Sequence, residues 1–377
     1  MDGFPYSHIS VLVMPTDFCN MNCVYCFNGR KTSKEKKVIS DETLKKIFQT
    51  VIPFYSDVRF IWHGGEPLSM GLKFYERVIE LQNELNINNI SIQNTIQTNL
   101  TLLNKEFADF LVRNHFRIGS SFDGITKNEE TRHNSKRILE GHDILKESGG
   151  RNGFICVVQN KNIDYLIEDY EWFKSKKINC NHNMYLTDSP TNNDLFVPEE
   201  KYIKKMCDFF DYWMCDTNCN IKLSYFETFL KYILYKEKEL CCYNSCMGKH
   251  IGIHYDGSIY GCNRDFPEEF CFGNVHDYDD IHECFRSEGF NALLKKAISR
   301  RNHCREVCNI YDFCAGGCNS TALAGGSIEK NNEYVCNTMK AVYKHVEKRI
   351  EPWREAEENE IKKKLNPYLA ELLIKKS

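Results

Sequence analysis

The sequence predicts an α/β protein followed by a smaller cysteine-rich domain. Its first half alternates short apolar runs with amphipathic stretches. Strands and helices that take turns in this way imply parallel strands with helical crossovers, as in an α/β barrel or an open sheet. Three closely spaced cysteines follow the first apolar run, and from Cys241 the chain is rich in Cys and Gly. The two cysteine-rich stretches add the prediction that the protein binds metal.

The predicted elements of the first half alternate without interruption. Strands are expected over 8–15, 58–63, 91–98, 116–122, 154–159 and 180–186, and helices over 41–55, 73–85, 105–114, 136–147 and 165–174. Helical spacing returns at 201–213 and 225–236, and the charged tail from 338 predicts one helix, or two broken near Pro367. We therefore predict four parts: an α/β domain over 1–190, a helical bridging segment over 191–240, a cysteine-rich domain over 241–340 with short turns, and a C-terminal helix over 341–377.

Composition and charge exclude several classes of protein. The chain has 49 Lys and Arg against 52 Asp and Glu, which gives no support for nucleic-acid binding as the main activity. No apolar run reaches transmembrane length, and the N-terminus lacks the pattern of a secretory signal. Without such a signal, 19 cysteines are more typical of metal ligands or catalytic groups than of disulfides. We expect a cytoplasmic protein that binds neither nucleic acid nor membrane.

The first cysteines, Cys19, Cys23 and Cys26, have the spacing C-x3-C-x2-C and are followed by Phe27. Three thiolates leave one iron of a four-iron cube without a protein ligand, and an open position on a metal is where chemistry takes place. A fragment of a zinc site is the alternative. Zinc sites usually pair two C-x2-C elements, however, and no second pair follows Cys26 for more than 100 residues. The spacing therefore favours an iron–sulfur cluster.

A second motif follows a predicted strand, with Gly64 and Gly65 before Glu66 and Pro67. Glycines let the backbone approach a ligand closely, and a carboxylate can bind an ammonium group. Together with the cysteine triad and Phe27, this motif resembles the radical S-adenosylmethionine (SAM) superfamily. The resemblance implies a partial (β/α)6 TIM-like barrel and a 4Fe–4S cluster whose open iron binds SAM. It also implies reductive cleavage of SAM to a 5′-deoxyadenosyl radical, with an external electron donor of the flavodoxin or ferredoxin type.

The same resemblance assigns further SAM contacts by their order in the chain. Gln97 and Asn99 stand at the strand end that lines the SAM ribose in this superfamily, and Ser121 stands at the next strand end. Arg132 stands where relatives often place an arginine that faces the SAM carboxylate. Each has a structural alternative: Asn99 as a turn residue and Arg132 as a surface charge.

The downstream cysteines resemble the SPASM extension, which carries two auxiliary 4Fe–4S clusters in peptide- and protein-modifying radical SAM enzymes. The chain has C-x10-G-x4-C and then C-x3-C-x5-C-x3-C, one residue longer than the family's C-x2-C-x5-C-x3-C. The resemblance assigns one auxiliary cluster to Cys241, Cys246, Cys262 and Cys318, and the other to Cys304, Cys308, Cys314 and Cys336. Cys242 competes with Cys241, and both stay open. The implied cofactors are SAM and three 4Fe–4S clusters.

Within this group the layout resembles anaerobic sulfatase-maturating enzymes, which oxidise Cys or Ser to formylglycine. Those enzymes place an aspartate, the proton acceptor, directly after the Gly-x4-Cys cysteine. Here that position is Asn263, whose amide cannot take up a proton at neutral pH, and Asp265 is two residues further on. From the sequence we therefore favour an oxidoreductase that crosslinks a ribosomally made peptide through a thioether, C–C or C–O bond.

Two alternatives remain: sulfatase maturation and a non-catalytic, metal-structured binding protein. A precursor peptide or protein is the expected substrate in either enzymatic case. Many peptide-modifying relatives carry an N-terminal leader-binding domain. Because this chain enters its first predicted strand near residue 8, we expect that domain to be absent or to be a separate protein.

Overall fold

A computed structural model of the chain describes residues 7–26, 36–186, 193–241, 243, 246–262 and 266–376. Phe27, Cys242, Asn263 and Asp265, which the sequence singles out, lie outside these residues. The chain forms two compact units. The first comprises Met1–Ser121, Arg132–Asn152 and Cys246–Lys296, and the second comprises Phe122–Thr131, Gly153–Ser245 and Ala297–Ser377.

The strands, in chain order, are β1 (His8–Val13), β2 (Asp57–Trp62), β3 (Ser91–Thr98), β4 (Arg117–Ser121), β5 (Asn152–Val158), β6 (Cys180–Met184), β7 (His250–Ile253) and β8 (Ile259–Tyr260). The helices are α1 (Asp41–Val51), α2 (Leu72–Leu85), α3 (Lys105–Arg113), α4 (Asn128–Thr131), α5 (Ser135–Glu147), α6 (Leu166–Lys176), α7 (Glu199–Met214), α8 (Ser224–Tyr235), α9 (Glu288–Val307), α10 (Tyr311–Cys314), α11 (Asn319–Ala324), α12 (Glu333–Ile350), α13 (Glu358–Lys364) and α14 (Pro367–Lys376). No helix in these described residues is both long enough and apolar enough to span a membrane.

In the first unit the sheet has the order β4-β3-β2-β1-β7-β8, parallel except for the β7–β8 pair. The run of β1 buries Ile9, Val11 and Val13 completely on one face, and Ser10 on the opposite face is 1% exposed, as expected of a parallel strand covered on both faces. Since the carboxyl ends of parallel strands meet at one edge, the loops after β1, β2 and β3 and the end of β4 lie at that edge. These are the segments that carry the predicted SAM site.

Helix starts in this unit follow local capping chemistry. The Ser40 hydroxyl accepts a hydrogen bond from the Thr43 amide at the start of α1, whose first turn is acidic. The Asn104 side chain accepts from the Phe107 amide at the start of α3. Both starts agree with the sequence prediction.

The second unit contains the parallel pair β5–β6 and an aromatic helical core. Phe209, Phe210, Trp213 and Phe226 are all at most 1% exposed and contact one another edge-on or tilted. Buried aromatic clusters of this kind supply much of the hydrophobic stabilisation of a domain. These four aromatic residues of α7 and α8 are therefore structural.

A short segment at the start of the second unit is held by two buried carboxylates. Asp123 accepts hydrogen bonds from the Val157 amide and the Thr131 hydroxyl, and Asp169 accepts from the amide and the hydroxyl of Thr126. Gly124 has φ +92°, and a Cβ there would lie 2.1 Å from Asp169 Cγ. Only glycine fits this turn.

Two sequence expectations about helices were wrong. The region expected to have only short turns contains α9, a helix of 20 residues. Its buried positions recur at spacings of three and four, but two of them are polar or weakly apolar, so the helical pattern is obscured in the sequence. These buried positions are Phe290, Leu293, Ala297, Arg300 and Cys304. The tail contains three helices, because Pro352 also interrupts it, and Pro367 begins α14.

The division into units also differs from the predicted domain boundaries. Residues 246–296 belong to the first unit because β7 pairs with β1. The cysteine-rich stretch is thus shared between the two units.

Candidate active site

The loop after β1 brings the cysteine triad together. Cys23 is buried, Cys19 and Cys26 are half-buried, and the Cys26 amide donates to the Cys23 carbonyl at 3.2 Å. The pKa of Cys19 is raised to about 11, chiefly by burial and in addition by the negative charges of Glu66, Cys23 and Cys26, against a hydrogen bond from the Met21 backbone. The three thiols therefore lie close enough for their charges to act on one another.

This donor set fits an iron–sulfur cluster. Crowded thiolates beside a buried carboxylate call for positive charge, and a bound metal deprotonates its thiol ligands outright. Among the described residues, no three His, Cys, Asp or Glu side chains converge as the ligands of a single ion. The assignment of Cys19, Cys23 and Cys26 as cluster ligands stays a prediction.

The glycine-rich loop after β2 lies directly against the cysteine loop. The Glu66 amide donates to the Phe18 carbonyl at 2.7 Å, and the Gly65 amide donates to the Thr16 carbonyl at 3.2 Å. A Cβ on Gly65 would lie 2.1 Å from the Phe18 carbonyl oxygen. The close contact between these two loops therefore requires glycine at position 65.

Glu66 binds the end of β3 to this loop. The side chain is 2% exposed. Its Oε1 accepts from the Leu68 amide at 2.9 Å and the Thr98 hydroxyl at 2.7 Å, and its Oε2 accepts from the Asn99 amide at 2.8 Å. Burial raises the pKa of Glu66, and these hydrogen bonds oppose the rise. Glu66 positions two neighbouring loops, and a direct contact with SAM stays a prediction.

Asn99 forms a second connection, from β3 to the cysteine loop. Its Nδ2 donates to Asn20 Oδ1 at 2.9 Å, and its Oδ1 accepts from the amide and the hydroxyl of Thr101 at 2.9 and 2.7 Å. Asn20 in turn donates to Thr101 Oγ1 at 2.8 Å. Asn99 is a turn residue in part, but it also holds the loop that carries the triad. Asn20 and Thr101 were missed by sequence analysis, although Asn20 directly follows Cys19.

Gln97 and Ser121, which the resemblance places at neighbouring strand ends, also meet. Gln97 Nε2 donates to Ser121 Oγ at 3.0 Å across the β3–β4 pair. A Cβ on Gly119 would lie 2.4 Å from Gln97 Oε1, so the absence of a side chain at 119 leaves room for this glutamine. The structure thus places Gln97 and Ser121 together at the site edge.

Arg132 is half-buried and joined to the cysteine loop. Its Nη1 donates to the Tyr25 hydroxyl at 2.9 Å, and the Cys23 sulfur lies 3.9 Å from the Arg132 carbonyl oxygen. Its charge also opposes the rise in the pKa of Glu66. Tyr25 was missed by sequence analysis because a tyrosine between two cysteines has no distinctive signature.

The second unit brings four downstream cysteines together. The pKa of Cys314 is raised to about 12, chiefly by burial and in addition by the charges of Cys336, Cys304 and Cys308. Cys304 and Cys308 lie one turn apart, with the Cys308 amide donating to the Cys304 carbonyl at 2.9 Å. Four mutually acting thiols fit the four-ligand cluster that the resemblance assigned to them.

The other predicted auxiliary set draws residues from both units. Cys246 and Cys262 belong to the first unit, where Cys246 precedes β7 and Cys262 follows β8. Cys241 and Cys318 belong to the second unit, where Cys318 precedes α11. This ligand set stays a prediction.

Comparison with known proteins decides the family. Residues 13–173 match the Radical SAM superfamily, and this stretch contains the triad, the glycine loop and the Gln97–Ser121 pair. The chain therefore contains a radical SAM domain over these residues. The predicted resemblance to radical SAM and SPASM proteins and the prediction of an enzyme are confirmed.

Relatives of this radical SAM protein extend over almost its whole length. A cysteine-type anaerobic sulfatase-maturating enzyme of Clostridium perfringens (strain 13 / Type A) is 27% identical over 367 residues, 91% of this chain and 97% of the relative. A serine-type enzyme of Bacteroides thetaiotaomicron is 26% identical over 375 residues, 89% of each chain. The solved structure of native anSMEcpe with bound AdoMet and Cp18Cys peptide is 25% identical, with a TM-score of 0.80 over 91% of this chain and 98% of that one. The predicted fold class is confirmed.

Proposed function

We propose that this radical SAM protein oxidises a Cys or Ser side chain of a peptide or protein substrate to formylglycine. The observation that carries the proposal is the relationship with sulfatase-maturating enzymes, which covers 91% of this chain for the cysteine-type relative and 89% for the serine-type relative. We therefore place formylglycine formation before peptide crosslinking, which the sequence alone favoured.

The chain's own residues have separable roles in this proposal. When bound, SAM and its iron–sulfur cluster supply the radical that removes a hydrogen atom from the substrate. The triad would hold that cluster, and Glu66 and Asn99 hold the surrounding loops in place. Gln97 and Ser121 would contact the SAM ribose, and Arg132 would face its carboxylate. The electron donor and the cytoplasmic location stay predictions.

Crosslinking of a ribosomally made peptide is the second candidate, and Asn263 favours it. Formylglycine formation needs a group that accepts a proton from the substrate, and an amide cannot do so at neutral pH. In the first proposal Asp265 takes over this role.

A peptide assay separates the two candidates. Anaerobically reconstituted protein is incubated with SAM, a strong reductant and matched peptides that contain Cys, Ser or Ala at one position. Formylglycine formation predicts an aldehyde, trapped by a hydrazine, on the Cys or Ser peptide and none on the Ala peptide. Cleavage of SAM with loss of two hydrogens from a peptide and no aldehyde would contradict the first proposal and support crosslinking.

A variant pair tests the proton acceptor. Asp265→Asn is expected to reduce aldehyde formation about 100-fold or more while SAM cleavage continues, because general bases contribute rate factors of this size. Asp279→Asn, which removes a fully exposed carboxylate, serves as the matched control. An unchanged rate in Asp265→Asn would exclude it as the base.

A further inference from the structure

Arg300 is a charged side chain buried in the second unit. It lies in α9 and is 1% exposed, and it ranks among the largest fully buried side chains of the chain. Removing a guanidinium from water costs several kcal/mol by general estimates of ion burial, so such groups are retained where their charge or hydrogen bonds are used. Arg300 precedes Cys304 by four residues, which places both on one face of α9.

The guanidinium holds the loop that carries two of the predicted cluster ligands. Its Nε donates to the Gly316 carbonyl at 2.9 Å, and its Nη2 donates to Asn319 Oδ1 at 2.7 Å. Its Nη1 donates to the Ile328 carbonyl. Gly316 and Asn319 lie on either side of Cys318, and Gly316 is two residues after Cys314. The acceptors of these three bonds are neutral oxygens, and together the bonds fix the orientation of the guanidinium.

The charge of Arg300 also lies close to two of the cysteines. Cys304 is one turn further along α9, and Cys314 is two residues before the Gly316 carbonyl that accepts from Arg300 Nε at 2.9 Å. A cube with four thiolate ligands has a net negative charge that increases on reduction. Net charge, hydrogen bonding and solvent exposure set the reduction potential of such clusters. A buried cation beside the set favours the reduced state.

We propose that Arg300 is a fixed counter-charge that raises the reduction potential of the auxiliary cluster held by Cys304, Cys308, Cys314 and Cys336. The inference rests on the cofactor set in the proposed function. Oxidation of a substrate radical releases one electron and one proton; the electron passes to an oxidised auxiliary cluster, and the proton passes to the base. A higher potential makes acceptance of that electron more favourable. Arg300 is a positioning residue in this scheme and touches no reacting atom.

The test measures cluster potentials in the full-length, reconstituted protein. Iron and sulfide are counted, and the midpoint potential of each cluster is followed by electron paramagnetic resonance in a redox titration. The signal that disappears in Cys308→Ala identifies the cluster in question. Arg300→Gln removes the buried charge, Arg300→Lys retains it without the planar fork, and Arg305→Gln removes an exposed charge one residue after Cys304.

We expect the midpoint potential of that cluster to become more negative in Arg300→Gln. It should stay close to the wild-type value in Arg300→Lys and in Arg305→Gln, where water screens the lost charge. If Arg300→Gln loses the cluster's iron, Arg300→Lys should keep it.

Three results would overturn the proposal. The first is an unchanged potential in Arg300→Gln. The second is an equal shift of the midpoint potential, or an equal loss of iron, in Arg300→Gln and Arg300→Lys. This result would indicate that only the hydrogen-bonding geometry of the guanidinium matters. The third is wild-type protein without any signal that depends on Cys308, which would refute the cluster assignment. Aldehyde formation on Cys or Ser peptides is measured separately, so it distinguishes these results from a failure of the proposed reaction.

Discussion

Buried carboxylates perform two different tasks in this chain. Glu66 accepts three hydrogen bonds and joins the loop after β2 to the end of β3. Asp169 accepts two from Thr126 and closes a turn in the second unit. Both pKa values are raised by burial, but only Glu66 lies beside the predicted SAM site.

The first prediction concerns Glu66→Gln. An amide nitrogen in place of one oxygen would face the amide of Asn99 or Leu68, and a buried donor left without an acceptor costs about 1–3 kcal/mol. We expect SAM binding to weaken at least about tenfold, measured by the dissociation constant and by 5′-deoxyadenosine formation. Glu76→Gln, which removes an exposed carboxylate from α2, is the control. Normal SAM binding in Glu66→Gln would show that this connection is dispensable.

The second prediction concerns the pH dependence of stability. Burial raises the pKa of Asp169 from 3.8 to about 6, against hydrogen bonds from Thr126. The folded state thus binds this proton more tightly than the unfolded state, and the contribution of Asp169 to stability falls as the pH rises from about 4 to about 6. Asp169→Asn should be more stable than wild type at pH 7, by up to about 3 kcal/mol for a shift of about two units. The difference should shrink towards pH 5.

Denaturant unfolding of the reconstituted protein between pH 5 and 7.5 measures this difference. Asp164→Asn serves as the contrasting variant. Hydrogen bonds from Lys201 and Lys205 lower the pKa of Asp164, whereas burial raises the pKa of Asp169. A constant difference between wild type and Asp169→Asn over this range would refute the account.

The sequence reveals site residues that stand at strand ends, but not those whose role depends on contacts with distant parts of the chain. Gln97, Asn99 and Ser121 were predicted because they stand at strand ends, which a pattern of alternating elements locates. Asn20 and Tyr25 acquire their roles through contacts with residues more than 75 positions away, and Thr101 joins the cysteine loop through its bond with Asn20, which spans 81 positions. No local pattern contains that information.

At the scale of elements, the strands of the first half agree with prediction to within about two residues at most ends, since their apolar runs are distinct. The failure at α9 has a specific cause. Its buried stripe ends in Arg300 and Cys304, residues that a hydrophobic pattern does not count. In α9 a charged side chain and a predicted cluster ligand occupy positions where other helices present leucine.

The third prediction tests the side-chain hydrogen bond between Gln97 of β3 and Ser121 of β4. In Gly119→Ala the new methyl group would displace the flexible end of Gln97, so its bond to Ser121 should break while the fold is retained. We expect weaker SAM binding by about 0.5–1.5 kcal/mol, the usual net value of one hydrogen bond. A double-mutant cycle supplies the control, because Gly119→Ala should have no further effect in a Gln97→Ala background. An equal effect in both backgrounds would show that the methyl group acts elsewhere.

At the scale of the whole molecule, the fourth prediction concerns metal content. Three cubes correspond to about twelve iron atoms per chain. Replacing Cys19, Cys23 and Cys26 together by Ala should remove about four of them and abolish SAM cleavage, while about eight remain in the auxiliary sets. Iron and sulfide analysis with product chromatography measures both quantities. Continued SAM cleavage in this variant would show that the triad does not hold the SAM-binding cluster.

The molecule-scale organisation was the least predictable from sequence. The predicted parts follow one another along the chain, whereas the first unit takes in residues 246–296 as well as the N-terminal elements. A change in composition indicates a boundary along the chain, but it does not show which earlier strand a later strand pairs with.

The pairing of β1 with β7 has a consequence for synthesis on the ribosome. Val11 pairs with Phe60 on one side and with Ile251 on the other. One edge of the apolar strand β1 therefore stays unpaired until a residue 240 positions later has been synthesised. At about 5–20 residues per second this delay lasts on the order of ten seconds or more. During that time the nascent chain exposes an unpaired apolar edge, which is prone to associate with other strands. A chain released before residue 253 would keep that edge permanently, and we expect such fragments to aggregate or to depend on chaperones.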